Sequence, residues 1–141
     1  MRQPRHGAAV TFLPGVTPAD PDDRGDPDPR LLEAIAAGDR LRVHALLPAV
    51  RLLVPVVAVP ATEEAEMAVA TLVNAAGQRA LPVFTGVEAL VQWRPDARPV
   101  PMRGARIVAA AIQEGYDGLV IDVAGPASFT LRAEELPRLL A

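Results

Sequence analysis

Cysteine does not occur among the 141 residues, which removes disulfides, thiolate catalysis and cysteine-ligated metals and accords with a reducing compartment. Lysine is missing too, so every basic side chain is arginine. A coding bias towards GC-rich codons accounts for that without a functional cause, but it still excludes Schiff-base chemistry and a phosphate-loop lysine. Serine is confined to Ser128 and histidine to His6 and His44. A Ser-His-Asp arrangement or a zinc site built from so few groups would need strained geometry. Neither G-x-G-x-x-G nor G-x-x-x-x-G-K is present. No catalytic residue, metal ligand or cofactor is therefore expected.

No apolar run is long enough to cross a membrane, which takes about 20 residues. The most apolar window, 45–61, contains Arg51 and is cut by Pro48, Pro55 and Pro60. The basic start, Met1 to Arg5, is followed by an apolar stretch, 8–13, too short for a signal peptide and interrupted by Thr11. The expectation is a cytoplasmic chain with no membrane contact. A net charge of −3 and a pI near 5.3 lack the basic face of a nucleic-acid binder. Aromatic residues make up 4% of the chain against 50% apolar overall, so the core must come from Leu, Val, Ala and Ile.

What is present fits one domain with a core of its own. Residues 1–28 combine Pro4, Pro14, Pro18, Pro21 and Pro27 with Asp20, Asp22, Asp23, Asp26 and Asp28, without apolar period, and read as a flexible tail. A calcium loop from Asp20 fails at Arg24 and Leu31, where oxygen ligands belong. The ordered domain is expected over 29–141, opening with Asp28 as N-cap and Pro29 at the first helical position. Leu31, Leu32 and Ile35 form a stripe ended by Gly38; Asp39 caps a second helix with Val43, Leu46 and Leu47 inward, and His44 lies at its boundary. The run 52–59 is the strongest strand, in which Pro55 suggests an edge or a bulge. An acidic linker, 62–66, reads as a solvated loop. The runs 67–73 and 79–84, joined by a five-residue turn, read as a hairpin. A Pro-rich crossing over 94–101, with a short strand at 98–102, leads to a helix over 103–114 with Ile107, Val108, Ala111 and Ile112 inward. Strand 119–123 then pairs with 128–131, and a short helix near 134–140 is disturbed by Pro137.

The stretch 80–93 organises the rest. Its apolar run 81–84 ends in Thr85-Gly86-Val87-Glu88, the spacing of a capping box, and feeds a short helix ending at Trp93. Two readings of Asp122 stand, at the end of the strand 119–123. Burial would raise its pKa and fit it for acid–base work; alternatively its side chain accepts from the Ala124-Gly125 turn. Thr85 likewise is either a cap or a site residue, and Trp93 either core or anchor.

The ordered motifs Leu52-Leu53-Val54-Pro55-Val56, then Leu81-Pro82-Val83-Phe84-Thr85 with Trp93, then Ile121-Asp122 with Ala124-Gly125-Pro126, resemble the SseB N-terminal domain family over roughly 29–141. The resemblance implies a small bacterial domain of unassigned biochemistry, here the N-terminal domain alone behind its Pro/Asp-rich tail, and it carries no catalytic residue over. The expected fold is a single α+β domain, layered, with a mixed, largely antiparallel sheet containing hairpins and packed against four to five helices. The leading functional expectation is a protein-interaction module for an unidentified protein partner. Its binding residues would be Phe84, Thr85, Trp93, Arg94, Arg98 and Asp122, with Trp93 beside two arginines having hot-spot composition and hairpin edges able to accept a partner strand. The alternative is a sensor or enzyme for an anion or amino acid, using the helix N-terminus after Thr85 together with Asp122. A homo-oligomer through the strand of Pro55 is the third.

Overall fold

Consecutive rather than alternating apolar residues mark a strand buried on both faces. In Arg51–Ala61, the longest strand among the described residues, Leu52, Leu53, Val54, Pro55 and Val57 are all buried. The structure, a computed structural model, describes residues 8–9, 23–61 and 64–140. Its elements are β1 (Ala8–Ala9), α1 (Pro29–Ala36), α2 (Arg40–Leu46), β2 (Arg51–Ala61), β3 (Glu64–Ala70), β4 (Leu72–Val73), β5 (Arg79–Val83), α3 (Val87–Trp93), β6 (Arg98–Arg103), α4 (Gly104–Gln113), β7 (Gly118–Ile121) and β8 (Phe129–Arg132). Short 3-10 helices cover Leu47–Ala49 and Ala133–Leu140, the latter containing Pro137. The domain is a single α+β unit.

One sheet has the order β1-β3-β2-β6 and is antiparallel throughout; the other has the order β4-β5-β7-β8, with β5 and β7 parallel. They meet at a bridge in which Leu53 and Phe84 exchange both backbone hydrogen bonds, at 2.8 and 2.9 Å. That bridge fixes the phase of β2. Because Leu53 points its N–H and C=O at Phe84, the opposite pair Leu53↔Pro101 carries no ladder bond, and neither does Pro55↔Pro99 two residues on. The expectation that Pro55 marks an edge or bulge is corrected. β2 is interior, flanked by β3 and β6, and Pro55 stands one residue before the β3 pairing begins at Val56↔Val69. A residue without N–H is tolerated there because the ladder changes partner at that point. Pro99 and Pro101, in outermost β6, face away from β2 for the same reason. At the other margin, β8 has its Thr130 carbonyl taken by Arg40 and its Arg132 N–H taken by Glu135.

Other boundaries moved. The expected hairpin of 67–73 with 79–84 divides between the two sheets. The chain leaves β3 at buried Thr71, whose hydroxyl lies 3.0 Å from that of Tyr116, and only Leu72 and Val73 pair with β5. In the acidic linker, Glu64–Ala70 forms β3, while residues 62 and 63 lie outside the described residues. Of the expected tail, residues 1–7 and 10–22, with the rejected calcium loop's Asp20 and Asp22, also lie outside them. Ala8 and Ala9 pair with Ala70 and Val69, and residues 23–28 pack on the domain as described below.

The helical caps follow the sequence. The Asp28 carboxylate accepts from the Arg30 N–H at 2.9 Å, the Asp39 carboxylate accepts from the Arg42 N–H at 3.2 Å, and Gly38 and Gly115 end α1 and α4 at φ 66° and 74°. Helices α1, α2 and α4 and the last 3-10 helix cover one sheet face over a core that includes Leu31, Leu52, Val54, Leu81, Ile107, Leu119 and Leu131. Helix α3 covers the other face, where Leu53, Val57, Phe84 and Leu90 gather. Ile112, expected inward, is 41% exposed. The inward face of α4 is instead Ile107, Val108, Ala110 and Ala111, a step of one residue round a short helix.

Candidate functional site

Two parallel strands side by side bring their carboxyl ends together. Thr85 follows β5 and Asp122 follows β7, and the Asp122 N–H continues the pairing by donating to the Val83 carbonyl at 2.9 Å. Asp122 has φ 53°, a left-handed conformation that short polar side chains tolerate best among non-glycine residues. Its carbonyl accepts from the Gly125 N–H at 2.9 Å, closing the turn. Its carboxylate reaches across to Thr85, accepting from the backbone N–H at 2.9 Å and from the hydroxyl at 2.7 Å. Both residues are buried, at 3% and 7% exposure. Burial pushes the Asp122 carboxyl up from the ordinary aspartate range, and the two bonds from Thr85 pull it part of the way back.

Two sequence expectations are corrected here. Thr85 does not form a capping box, because α3 starts one residue later than that spacing requires. Its N-cap is Gly86, without a side-chain bond, and the Thr85 hydroxyl is turned inward to Asp122. The turn after Asp122 is closed by its main-chain carbonyl, so the reading in which its side chain holds that turn fails: the carboxylate serves Thr85.

The start of α3 is covered by residues 23–27. The Val87 N–H donates to the Gly25 carbonyl at 2.9 Å, and a Cβ on Gly86 would lie 2.9 Å from that carbonyl oxygen and from Pro27 Cδ. Only glycine allows the two backbones to approach this closely. Arg51 ties the strap down. Its Nε and Nη2 contact the Asp23 carboxylate at 2.8 and 3.0 Å, Nη2 also donates to the Asp26 carbonyl, and Nη1 donates to the Thr85 carbonyl at 3.1 Å.

Beside the strap opens a cleft of about 650 Å³. Thr85 and Asp122 line it together with Leu32 and Ile35 of α1, Val87 and Val91 of α3, and Pro126 and Ala127 of the β7–β8 turn; the charged lining residues are Arg24, Asp26, Glu88 and Asp122. Of the residues proposed from sequence, only Thr85 and Asp122 belong to it. Phe84 is fully buried, its ring centroid 5.5 Å from that of half-buried Trp93. The Arg94 guanidinium is bonded to Asp96, at 3.0 and 3.2 Å, and Arg98 is exposed at the start of β6. Leu32, Val91, Arg51 and the strap escaped sequence reasoning. Leu32 and Val91 did leave a trace: each follows a buried leucine, Leu31 or Leu90, and such doublets widen an apolar stripe beyond what one sheet face can cover.

A second polar cluster joins α2 to the C-terminal 3-10 helix. Glu135 lies 2.7 Å from Arg40 and 2.9 Å from His44, so His44 has a distant carboxylate partner instead of a neighbour on its own helix. Among the described residues no three His, Asp or Glu side chains gather closely enough to hold a metal ion, and no helix is long and apolar enough to cross a membrane. No curated protein and no solved structure matches the chain. The family model of the SseB protein N-terminal domain matches residues 30–138.

Proposed function

The chain belongs to the SseB protein N-terminal domain family, and from that starting point we propose that it is a non-catalytic protein-interaction module whose docking face is the cleft beside α3. One observation carries this reading. Two of the six large apolar side chains exposed among the described residues, Leu32 at 38% and Val91 at 45%, come from different helices and line the same cleft. Apolar surface concentrated in a concave site that also holds charged side chains is the composition of a contact face rather than of ordinary surface. A photo-cross-linking residue at position 91, in cells, tests it against one at Leu41, which is 82% exposed and outside the cleft. The expected result is a discrete protein adduct from position 91 that Leu32→Asp removes. The same adducts from both positions, indifferent to Leu32, would refute it.

The sensor or enzyme reading keeps one observation in its favour: Thr85 and Asp122 converge on one cleft at the carboxyl ends of parallel strands, where ligands of open α/β sheets bind. Against it, the Thr85 N–H and hydroxyl both engage Asp122, and the first N–H of α3 engages Gly25. An anion would find those donors taken.

A further inference from the structure

At the Thr85–Asp122 pair the cleft presents acceptors rather than donors. Both hydrogens of Thr85 point to Asp122, while each Asp122 oxygen that receives one of them has capacity for a second bond. The Thr85 hydroxyl oxygen is an acceptor too. Charge is divided in the same sense: among the described residues Asp26, Glu88 and Asp122 are set against Arg24, three carboxyl groups to one guanidinium. Arg51 of β2, which ties the strap down, is paired with Asp23. Leu32, Ile35, Val87, Val91, Pro126 and Ala127 supply apolar wall, and Gln92 adds a neutral amide that both donates and accepts.

An occupant complementary to this arrangement is aliphatic along its length and a cationic donor at its tip. Lysine and arginine side chains have that form, burying their methylene stems against apolar surface while the head meets acceptors. A carboxylate or phosphate would instead meet like charge. We infer that the cleft receives a lysine or arginine side chain of a partner protein, its stem along Leu32 and Val91 and its head towards Asp122, in an acidic field to which Asp26 and Glu88 contribute. This rests on the docking reading above and adds the chemistry of what docks.

The full chain, ¹⁵N-labelled, is titrated with N-acetyl-lysine N-methylamide, its norleucine analogue, which lacks only the amine, its glutamate analogue, and free lysine. The expected result is that the blocked lysine shifts the amides of Thr85, Gly86, Val87 and Gly125 and binds about fivefold more tightly than the norleucine form, the scale of a partly exposed ion pair. Glu88→Gln should reduce that advantage while leaving the weaker norleucine binding unchanged. Equal binding of the lysine and norleucine forms would overturn the basic-side-chain inference but not the docking face. Preference for the glutamate form would overturn it in favour of an anion, and tighter binding of free lysine would replace the protein partner with a small amino-acid ligand. No shift with any probe, while position 91 still captures a partner, would also overturn it; loss of that capture instead refutes the docking reading itself.

Discussion

Replacing Asp122 by alanine should be among the most damaging changes to a residue outside the apolar core. The substitution leaves the Thr85 N–H and hydroxyl buried without acceptors, each a loss of about 1–3 kcal/mol, and obliges alanine to adopt the φ of 53° at roughly another 1 kcal/mol. Relief of the buried carboxylate's desolvation offsets part of this. A net loss of about 3 kcal/mol follows, a fall in Tm of roughly 12 °C for a domain of this size. Asp122→Asn should stay within about 1 kcal/mol, since asparagine tolerates the left-handed region, keeps one acceptor and carries no charge. The pH dependence has a definite sign. A carboxyl raised by folding holds a proton that the unfolded chain releases, so its contribution to stability falls as pH rises from the ordinary aspartate range through the raised value. The Asn variant should therefore compare better with the parent at pH 7 than at pH 4. Thermal melts of the three proteins at both pH values decide the matter. An alanine variant within about 1 kcal/mol of the parent, or an Asn variant that fares worse as pH rises, would refute the stabilising role of the Thr85–Asp122 bonds and its electrostatics.

Two further outcomes follow from the geometry. In Gly104→Ala the new Cβ would stand 1.8 Å from the Leu47 carbonyl oxygen, a backbone atom that cannot swing aside, so a loss of about 3 kcal/mol is expected in denaturant titration. Gly77→Ala, which meets nothing within 4 Å and is strained only by φ 83°, should lose about 1 kcal/mol and serves as its control. At Glu135 burial alone would raise the carboxyl, but the Arg132 N–H, His44 and Arg40 outweigh it and hold it below the usual range. Its stabilising contribution is thus present above the ordinary glutamate value and lost as pH falls through the lowered one. Glu135→Gln should flatten that acid limb of the stability profile; an unchanged limb would show that the cluster does not act as described.

Local signals were read well where one residue controls its own neighbourhood. Asp28, Asp39, Gly38 and Gly115 mark helix ends through their own side chain or φ, and the starts of α1 and α2 are legible. The family and the α+β class were legible from the order of motifs. Pro55 misled because proline reports a missing donor and not the strand's place in a sheet; an interior strand accommodates it where partners change. Thr85 misled for a related reason. Its spacing to Glu88 satisfies a capping box, but the competing acceptor, Asp122, lies 37 residues away, and only the parallel pairing of β5 and β7 brings it within reach. The cleft was half legible. Thr85 and Asp122 stand out as polar residues at strand ends, whereas Leu32 and Val91 look like ordinary core until the sheet is seen to have no room for them.

The prolines of β6 bear on how the protein behaves when crowded, heated or refolded at high concentration. A neighbouring molecule that laid a strand along this margin would meet carbonyls at positions 99 and 101 but no N–H, and would gain only half of the ladder at those positions. At the opposite margin it would have to displace Arg40 and Glu135 from β8. A chain that is half apolar has thus closed its two longest outer strands to templating. Sheet-by-sheet stacking into fibrils is disfavoured at those margins even while the cleft beside α3 stays open to a partner.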